Sequence, residues 1–368
     1  MRVMRIGFAL LIACSSGAAS AGLQFATPNA LLVVDGNNDR VLRVPLAGGA
    51  VTVFSPPAGA QINLLDAPRG IGVGPDGTIV VANFFTGKLI ELDPATGAQF
   101  PVAAPLSSPP AIGSLPRDVA VNPRPPALGF FPTLGVASQG ELHQVVRSAF
   151  AATGSLLAPY PSPYDPYAAA FVVPVLPGND DPLDYVVATT SIPALLWYDG
   201  ALDAFTPIWE DEAVDVIQGL DAPRDGPYAL VASFLVAACP SFSNGIRFFT
   251  QLAETGSLVY PDTCPGPIAY DGANNILFVV ALDTVPLQVI RVTGFGVFPV
   301  ASIAGTLPGG TSASDMALAN VPESGSGLCA LTAMLMLFML ERTSARALAN
   351  AARARADRAT ARTNPRSA

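Results

Sequence analysis

Histidine and charged residues are scarce in this 368-residue chain. It contains one histidine, His143, and charged residues make up 13% of it. His143 is therefore the one candidate base for a Ser-His-Asp triad, and no G-x-S-x-G elbow accompanies it. Disorder is not expected, because hydrophobic residues make up 51% of the chain. Long helices are not expected in the middle either, because 33 Gly and 36 Pro supply frequent turns.

Residues 1–21 have the three-part pattern of a secretory signal peptide. Two arginines precede a short apolar run, and small residues ending in Ala19-Ser20-Ala21 follow. Cleavage is expected near Ala21. A lipobox-like stretch at residues 11–14 is the alternative, and it would make Cys14 a lipidated N-terminus. In either case the sequence predicts export.

The C-terminal region has the pattern of a membrane anchor. An apolar run over residues 325–340 is followed by residues 341–368, which hold seven Arg against one Glu and one Asp. The run is shorter than the ~20 residues of an untilted span, but its basic flank fits a stop-transfer helix. We therefore divide the chain into a signal peptide at 1–21, a body at 27–320, a hydrophobic segment at 321–342 and a basic tail at 343–368.

The body between these ends is acidic. Residues 22–320 hold ten Lys plus Arg against 25 Asp plus Glu, a net charge near −15. A body of this charge repels nucleic acid and anionic lipid surfaces, so nucleic acid is not an expected partner. Cys239 and Cys264 are expected to form one disulfide in an oxidising compartment, because two thiols without further ligands do not build a zinc site.

A Pro-Arg pair followed by a strand, a turn and a second strand recurs along the body. It begins at Pro68-Arg69, and weaker copies begin at Pro116-Arg117 and Pro223-Arg224. After the first copy, four short strands are predicted between residues 70 and 102, separated by turns at 74–77, 86–88 and 93–97. Four-stranded meanders at a spacing of ~40–50 residues are typical of propeller blades.

The incomplete first and last repeats complete each other. Only three strands are predicted near the N-terminus, at 30–35, 41–46 and 51–55, and a lone strand is predicted at 314–319. If this lone strand is innermost in the first blade, the ring closes at six blades. The predicted fold is therefore all-β, a six-bladed β-propeller of four-stranded antiparallel blades over 27–320. A seventh blade within residues 104–116 or 158–166, and a β-solenoid, are the alternatives.

Two family resemblances accompany this pattern. Residues 67–83, APRGIGVGPDGTIVVAN, resemble the repeats of NHL-type and gluconolactonase-like propellers. Val321, Pro322 and Glu323, with the apolar run and the basic tail, resemble the PEP-CTERM sorting signal of bacteria, although Ser324 stands where that signal has a second proline. The second resemblance implies exosortase-type processing and a location in the cell envelope or outside the cell. A plain membrane anchor is the alternative.

The meander also predicts which residues share one end of the central channel. In each blade the innermost strand starts, and the second strand ends, at the same end of the ring, because the two strands are antiparallel. The residues gathered there form a candidate ligand mouth: Asp35, Arg69, Asn83, Arg117, Asp118, Arg224, Asp225 and Asp315. In a purely structural alternative, each arginine bridges neighbouring blades by bonding backbone carbonyls or an acidic side chain.

The resemblance to enzymes of this fold implies two further alternatives. Gluconolactonase-like propellers imply a divalent metal such as calcium, with Asn83 and either Asp225 or Asp315 as ligands, but the first Glu of the body is Glu91, in an outer position. Streptogramin lyase-like propellers imply a histidine base, here His143, which we expect on a solvent-facing strand.

The favoured hypothesis is a binding module without a catalytic residue or cofactor. Its expected partner is a protein or polysaccharide of the envelope or extracellular matrix, and its expected contact with the membrane is through the C-terminal helix. A metal-dependent, lactonase-like hydrolase or lyase is the alternative.

Overall fold

The computed structural model describes a ring of sheets between residues 27 and 321. The residues that it describes are 27–74, 76–102, 115–121, 133–138, 140–147, 152–161, 169–174, 185–189, 193–200, 202–211, 214, 216–222, 230–235, 244–250, 253–259, 264–293 and 300–321. They belong to the unit Phe25–Val321.

The described residues form six four-stranded antiparallel sheets, the blades, whose strands we number in chain order. Blade 1 contains β1 (Ala30–Asp35), β2 (Arg40–Pro45), β3 (Thr52–Ser55) and the last strand, β24 (Ala313–Ala319). Blade 2 contains β4 (Pro68–Val73), β5 (Ile79–Asn83), β6 (Lys88–Leu92) and β7 (Gln99–Pro101). Blade 3 contains β8 (Pro116–Val121), β9 (Leu134–Ser138), β10 (Glu141–Arg147) and β11 (Ala152–Pro159).

The other three blades repeat the same order. Blade 4 contains β12 (Ala169–Pro174), β13 (Tyr185–Thr189), β14 (Ala194–Asp199) and β15 (Ala204–Glu210). Blade 5 contains β16 (Val216–Asp221), β17 (Leu230–Leu235), β18 (Gly245–Thr250) and β19 (Ala253–Val259). Blade 6 contains β20 (Pro265–Asp271), β21 (Ile276–Ala281), β22 (Gln288–Thr293) and β23 (Val300–Thr306). The six-bladed propeller is confirmed, and the seven-bladed and solenoid alternatives are wrong.

The late strand β24 closes the ring by pairing with β1. The two strands are antiparallel, with Val33 opposite Met316 and Ala30 opposite Ala319. Beyond the ladder, Asn29 Nδ2 donates to the Val321 carbonyl at 2.7 Å, and the Val321 N–H donates to Asn29 Oδ1 at 2.9 Å. Val321 is buried. It therefore belongs to the ring, one residue beyond the predicted boundary at 320.

The blades pack face to face through apolar side chains that alternate along the strands. In β1, Leu32 and Val34 belong to the core shared with blade 2, whereas Leu31 and Val33 belong to the core shared with blade 6. This alternation follows from the period of two in a strand. Because both faces of a blade are covered, its second and third strands are buried, and the outermost strands such as β15 and β23 are the exposed ones.

Tight turns connect the strands where the sequence predicted them. Gly77 and Gly97 adopt positive φ values of 84° and 70°, a conformation in which glycine is favoured because it lacks a Cβ. At Gly97 a Cβ would also overlap the backbone carbonyl oxygen of Phe54. From the sequence, blade 3 is predicted with three strands, at 116–121, 133–138 and 141–146, so β11 is missed. The last strand of blade 5 is predicted at 257–260, four residues after β19 begins.

Both chain ends lie outside the described residues. This applies to the predicted signal peptide at 1–21, to Pro322 and Glu323, and to the hydrophobic segment and basic tail that follow. Across the described ranges, we find no helix with the length and apolarity needed to cross a membrane. The signal peptide, the membrane helix and the sorting signal therefore stay predictions.

We predict that Asn29→Ala destabilises the propeller by about 1–3 kcal/mol, because it removes both side-chain bonds to Val321 and leaves a partly buried N–H and carbonyl without these partners. Urea unfolding measures this change. Asn37→Ala is the matched control: Asn37 is exposed, and its replacement should change stability by less than about 0.5 kcal/mol. Equal stability of the two variants would contradict a stabilising role for the hydrogen bonds between Asn29 and Val321.

Candidate functional site

Six of the eight predicted mouth residues lie at the same end of the ring. The register places Asp35 opposite Ala313, and Asn83 opposite Pro68, so the ends of β1 and β5 meet the starts of β24 and β4. Asp315, Arg69, Arg117 and Asp118 lie in the first half of their innermost strands, at this end of the channel. Arg224 and Asp225 lie outside the described residues.

A β-bulge near the start of the innermost strands sets the positions of both arginines. The pairing register shifts between Pro68 and Gly70 in β4, and between Pro116 and Asp118 in β8. Arg69 and Arg117 are the residues left out of the ladder at these shifts. A bulge re-aims the side chain of its extra residue, so the Pro-Arg repeat places an arginine outside the regular pleat in two adjacent blades.

Asp35 holds the polar turn of blade 1 together. Its side chain is fully buried. Its carboxylate accepts hydrogen bonds from Arg40 Nε at 2.8 Å, from Asn38 Nδ2 at 2.9 and 3.0 Å, and from the Ser312 N–H at 2.9 Å. The last bond fastens the segment before β24 to the end of β1. These contacts give Asp35 a structural role in ring closure and leave it no exposed surface for a ligand.

Asn83 fastens the segment that leads into blade 2. Its Nδ2 donates to the Leu64 carbonyl at 2.6 Å, and its Oδ1 accepts from the Asp66 N–H at 3.2 Å. The side chain is fully buried. The amide oxygen that the gluconolactonase resemblance would assign to a metal accepts a backbone hydrogen bond, so Asn83 has a structural role in this part of the chain.

Asp315 and Asp118 form a buried carboxyl pair in the channel. They come from β24 and β8, the innermost strands on either side of β4, and their side chains are hydrogen-bonded to each other. Asp315 also accepts from the N–H groups of Ile71 and Met316, both at 2.8 Å, and Asp118 accepts from Val119 N–H at 2.7 Å. The pair thus satisfies N–H groups on the channel edges of three blades.

Gly70 leaves the space that this pair needs. A Cβ on Gly70 would overlap the carboxylate and the Cα of Asp118, and it would lie 2.9 Å from the Arg117 carbonyl oxygen. Gly70 and Asp118 occupy equivalent positions, each directly after the bulge of its strand. The absence of a side chain in blade 2 therefore lets Asp118 approach Asp315 from blade 3.

Burial and the neighbouring charge favour the protonated form of this pair. Burial of the Asp315 carboxyl, together with the charge and hydrogen bond of Asp118, raises the pKa of Asp315 well above its ordinary value. The bonds from Ile71 and Met316 act in the opposite direction. Two carboxyl groups can hydrogen-bond to each other only when one of them is protonated, so the pair titrates as one unit.

The arginine pair, Arg69 and Arg117, has a different environment. The guanidinium carbon of Arg69 lies 5.6 Å from the centre of the Phe84 ring, and that of Arg117 lies 5.1 Å from the same centre. Burial, and the charge of Arg69, lower the pKa of Arg117. The ion pairs within the described residues involve Arg40, Arg247 and His143, and none involves the arginine pair.

The expected arginine bridges between blades are not found in the described part of the chain. There Arg117 Nε is buried and makes no hydrogen bond, which is also true of Arg43 and Arg291 Nε. The pair is held instead by cation–π contact with Phe84, which follows the end of β5. Neither this ring nor its neighbour Phe85, which is 67% exposed, was among the predicted mouth residues. Two adjacent aromatic residues, Phe84 and Phe85, in the turn after β5 are the sequence feature that could have indicated this contact.

His143 does not lie on a solvent-facing strand, and that expectation is wrong. The strand is the third of blade 3, as predicted, but the side chain is 1% exposed because blades cover each other's faces. Its Nε2 lies 3.1 Å from Glu141 Oε2. Burial lowers the pKa of His143, and the Glu141 carboxylate partly opposes this. His143 belongs to β10 and is not on the innermost strand, so it does not fit a base acting at the mouth.

The disulfide remains a prediction. Cys264, directly before β20, is buried, and Asn244 Nδ2 contacts its sulfur at 3.9 Å. Its expected partner, Cys239, lies outside the described residues. Within those residues, no group of three or more His, Cys, Asp or Glu side chains is arranged to hold a metal ion.

Comparisons with known proteins support the fold. No protein-family model matches the chain, and no curated protein matches it. A chain of the structure titled "Crystal structure of Nidogen/Laminin Complex" is similar over 79% of this chain and 98% of its own, with 11% identity and a TM-score of 0.56. At this identity, the similarity shows the propeller fold alone.

Two further structures show weaker similarity. A putative TolB from Agrobacterium tumefaciens is 10% identical over 79% of this chain and 93% of its own, with a TM-score of 0.46. The β-propeller domain of Cps50 (Swd1) from Myceliophteria thermophila is 9% identical over 78% of this chain and 89% of its own, with a TM-score of 0.47.

We predict that Asp118→Asn weakens the pH dependence of stability, because it removes the neighbouring charge but not the burial of Asp315. The native pair keeps a proton that the unfolded chain has lost, so the unfolding free energy of the parent protein should fall as pH rises through the raised pKa of Asp315, by up to about 1.4 kcal/mol per pH unit. In the variant an amide N–H donates to Asp315 without a titrating proton. Urea unfolding at several pH values should then give a flatter profile.

The control for this experiment is Asp76→Asn, which removes the same charge from an exposed turn residue. The pH profile of that variant should follow the parent. A parent profile that rises with pH over the same interval would contradict the shared proton.

We predict that Gly70→Ala costs more than about 2 kcal/mol, because the new methyl group overlaps Asp118 and has rigid backbone atoms beside it. Gly309→Ala is the matched control, since a Cβ at Gly309 meets nothing within 4 Å. Thermal and urea unfolding of both variants give the comparison. Equal stability of the two would mean that the carboxyl pair does not depend on the missing side chain.

Proposed function

We propose that this chain is an exported bacterial β-propeller, anchored in the cell envelope or released from it, that binds a partner through the channel mouth at the arginine pair. The partner is a protein or polysaccharide of the envelope or extracellular matrix. The signal-peptide pattern at residues 1–21 supports export, and the apolar run and basic tail after residue 324 support anchoring.

The arginine pair is the observation that carries the binding proposal. Arg69 is exposed and Arg117 half-buried, and neither forms an ion pair within the described residues. Asp35 and Asn83, at the same end of the ring, are buried and already hydrogen-bonded. Of the six predicted mouth residues that the structure describes, the two arginines are therefore the ones with surface to offer a partner, and the exposed Phe85 lies close to them in the chain.

Binding is favoured over turnover because the candidate catalytic groups have structural roles. Asn83 and Asp315 accept backbone hydrogen bonds, and His143 lies within a blade. The NHL-type resemblance, typical of interaction modules, therefore explains more of the mouth than the gluconolactonase-like one. The metal-dependent hydrolase remains the alternative, and it would need about one divalent ion per chain.

Substitution of exposed phenylalanines in blade 2 tests the binding face. Phe85→Glu places a charge at the mouth, whereas Phe100→Glu places the same charge on the outermost strand β7, where Phe100 is 53% exposed. We predict that the parent protein and Phe100→Glu recover the same partner from envelope extracts, and that Phe85→Glu recovers at least about tenfold less.

Equal recovery by both variants would contradict binding at the mouth. Recovery of nothing by the parent protein, above a control resin, would contradict the binding function itself. Elemental analysis of the purified parent that found one divalent metal per chain would favour the hydrolase.

A further inference from the structure

The arginine pair brings two like charges together in a protein body that is otherwise acidic. Residues 22–320 carry a net charge near −15, with only ten basic residues, and two of those ten lie over one phenylalanine ring. Burial, and then the like charge of Arg69, lower the pKa of Arg117, because both disfavour its charged form. Such an arrangement is relieved by an anion that contacts both guanidinium groups.

Within the described residues, no carboxylate forms an ion pair with either arginine. Asp118, next to Arg117, is hydrogen-bonded to Asp315 and to the Val119 N–H in the channel. Asp35, at the same end of the ring, is ion-paired with Arg40 at 2.8 Å. Asp35 and Asp118 thus bind within the fold, and neither arginine of the pair is ion-paired within the described residues.

The surroundings of the pair add an apolar contact. Phe84 contacts both guanidinium groups and packs against Phe85, with 5.4 Å between the ring centres. Phe85 is 67% exposed. A ligand that reaches the arginine pair from solvent therefore also meets an aromatic surface, a combination that suits a side chain or backbone carrying both an anion and an apolar group.

We propose that the mouth binds an acidic peptide segment of a partner protein, with one carboxylate between Arg69 and Arg117 and an adjacent apolar side chain against Phe85. This inference rests on the proposed function and narrows it to one ligand chemistry. The planar guanidinium fork matches a carboxylate in two parallel hydrogen bonds, and the second guanidinium adds charge.

The charge of the body favours a single carboxylate over a polyanion. At physiological salt, exposed charges interact over about 8 Å. The electrostatic energy of a bound carboxylate would therefore come mainly from its attraction to the arginine pair. A long acidic polysaccharide would extend beyond that distance across a surface whose net charge is negative. An acidic polysaccharide is therefore the disfavoured partner, and the experiment includes it.

Titration of the purified full-length chain with small probes tests this assignment. The probe is a short peptide, capped at both ends, with one aspartate beside one phenylalanine, and its control has asparagine in place of aspartate. We expect the aspartate peptide to bind at least about tenfold more tightly by calorimetry, and Arg117→Gln to remove about tenfold of that affinity. Arg291→Gln, a half-buried arginine on β22, is the matched control and should bind as the parent does.

Several results would overturn the inference. Equal affinity of the two peptides would exclude a role for the carboxylate, and unchanged affinity in Arg117→Gln would exclude this site. Polygalacturonate that bound more tightly than the aspartate peptide would assign the mouth to polysaccharide instead. If Arg69→Gln/Arg117→Gln still recovered the envelope partner while Phe85→Glu did not, the binding function would stand and the carboxylate assignment would fail.

Discussion

The pairing of β24 with β1 is the interaction on which the rest of this structure depends. Residues about 280 positions apart in the chain form one ladder, and the Asn29 side chain continues it to Val321. Closure gives every blade two neighbours, so both faces of each sheet are covered. It also holds β24 beside β4, where Asp315 accepts the Ile71 N–H. Val321, the first residue of the predicted sorting motif, is buried and bonded to Asn29 in the closed ring. An enzyme that bound this residue would therefore compete with ring closure.

Carboxylates in the channel accept hydrogen bonds from backbone N–H groups that the ring leaves without a strand partner. The innermost strand of each blade has one edge facing the channel, and its N–H groups there have no strand to pair with. Asp315 satisfies one such group on β4, and Asp221 satisfies another on β20 through the Tyr270 N–H at 2.6 Å. The acidic residues of the channel therefore stabilise the fold, while the arginines beside them project from bulges. Composition alone does not separate these two roles, because both sets lie in the same short repeats.

The ring could be predicted from the sequence because short apolar strands and the turns between them are local patterns, and the number of strands in each repeat could be counted. The first blade had three predicted strands and lacked a fourth, and a lone strand was predicted near residue 314. Together they complete one four-stranded blade. It failed at β11, whose residues 152–159 lack regular alternation, and at His143, whose burial comes from a neighbouring blade. The mouth was predicted as a location because strand direction fixes it. The hydrogen bonds of its side chains depend on partners elsewhere in the chain, such as Ser312 for Asp35 and Leu64 for Asn83. The sequence repeat does not predict those partners.

Crosslinking across the closing ladder tests the account most directly. Val33→Cys with Met316→Cys places two cysteines directly opposite each other, within the Cα separation that a disulfide requires. The account predicts an efficient disulfide within one chain, so that fragments from the two ends remain joined after proteolysis until they are reduced. Val33→Cys with Ala319→Cys, out of register by three residues, should stay unlinked. An absent link in the first variant, or equal linking in both, would contradict the closed ring.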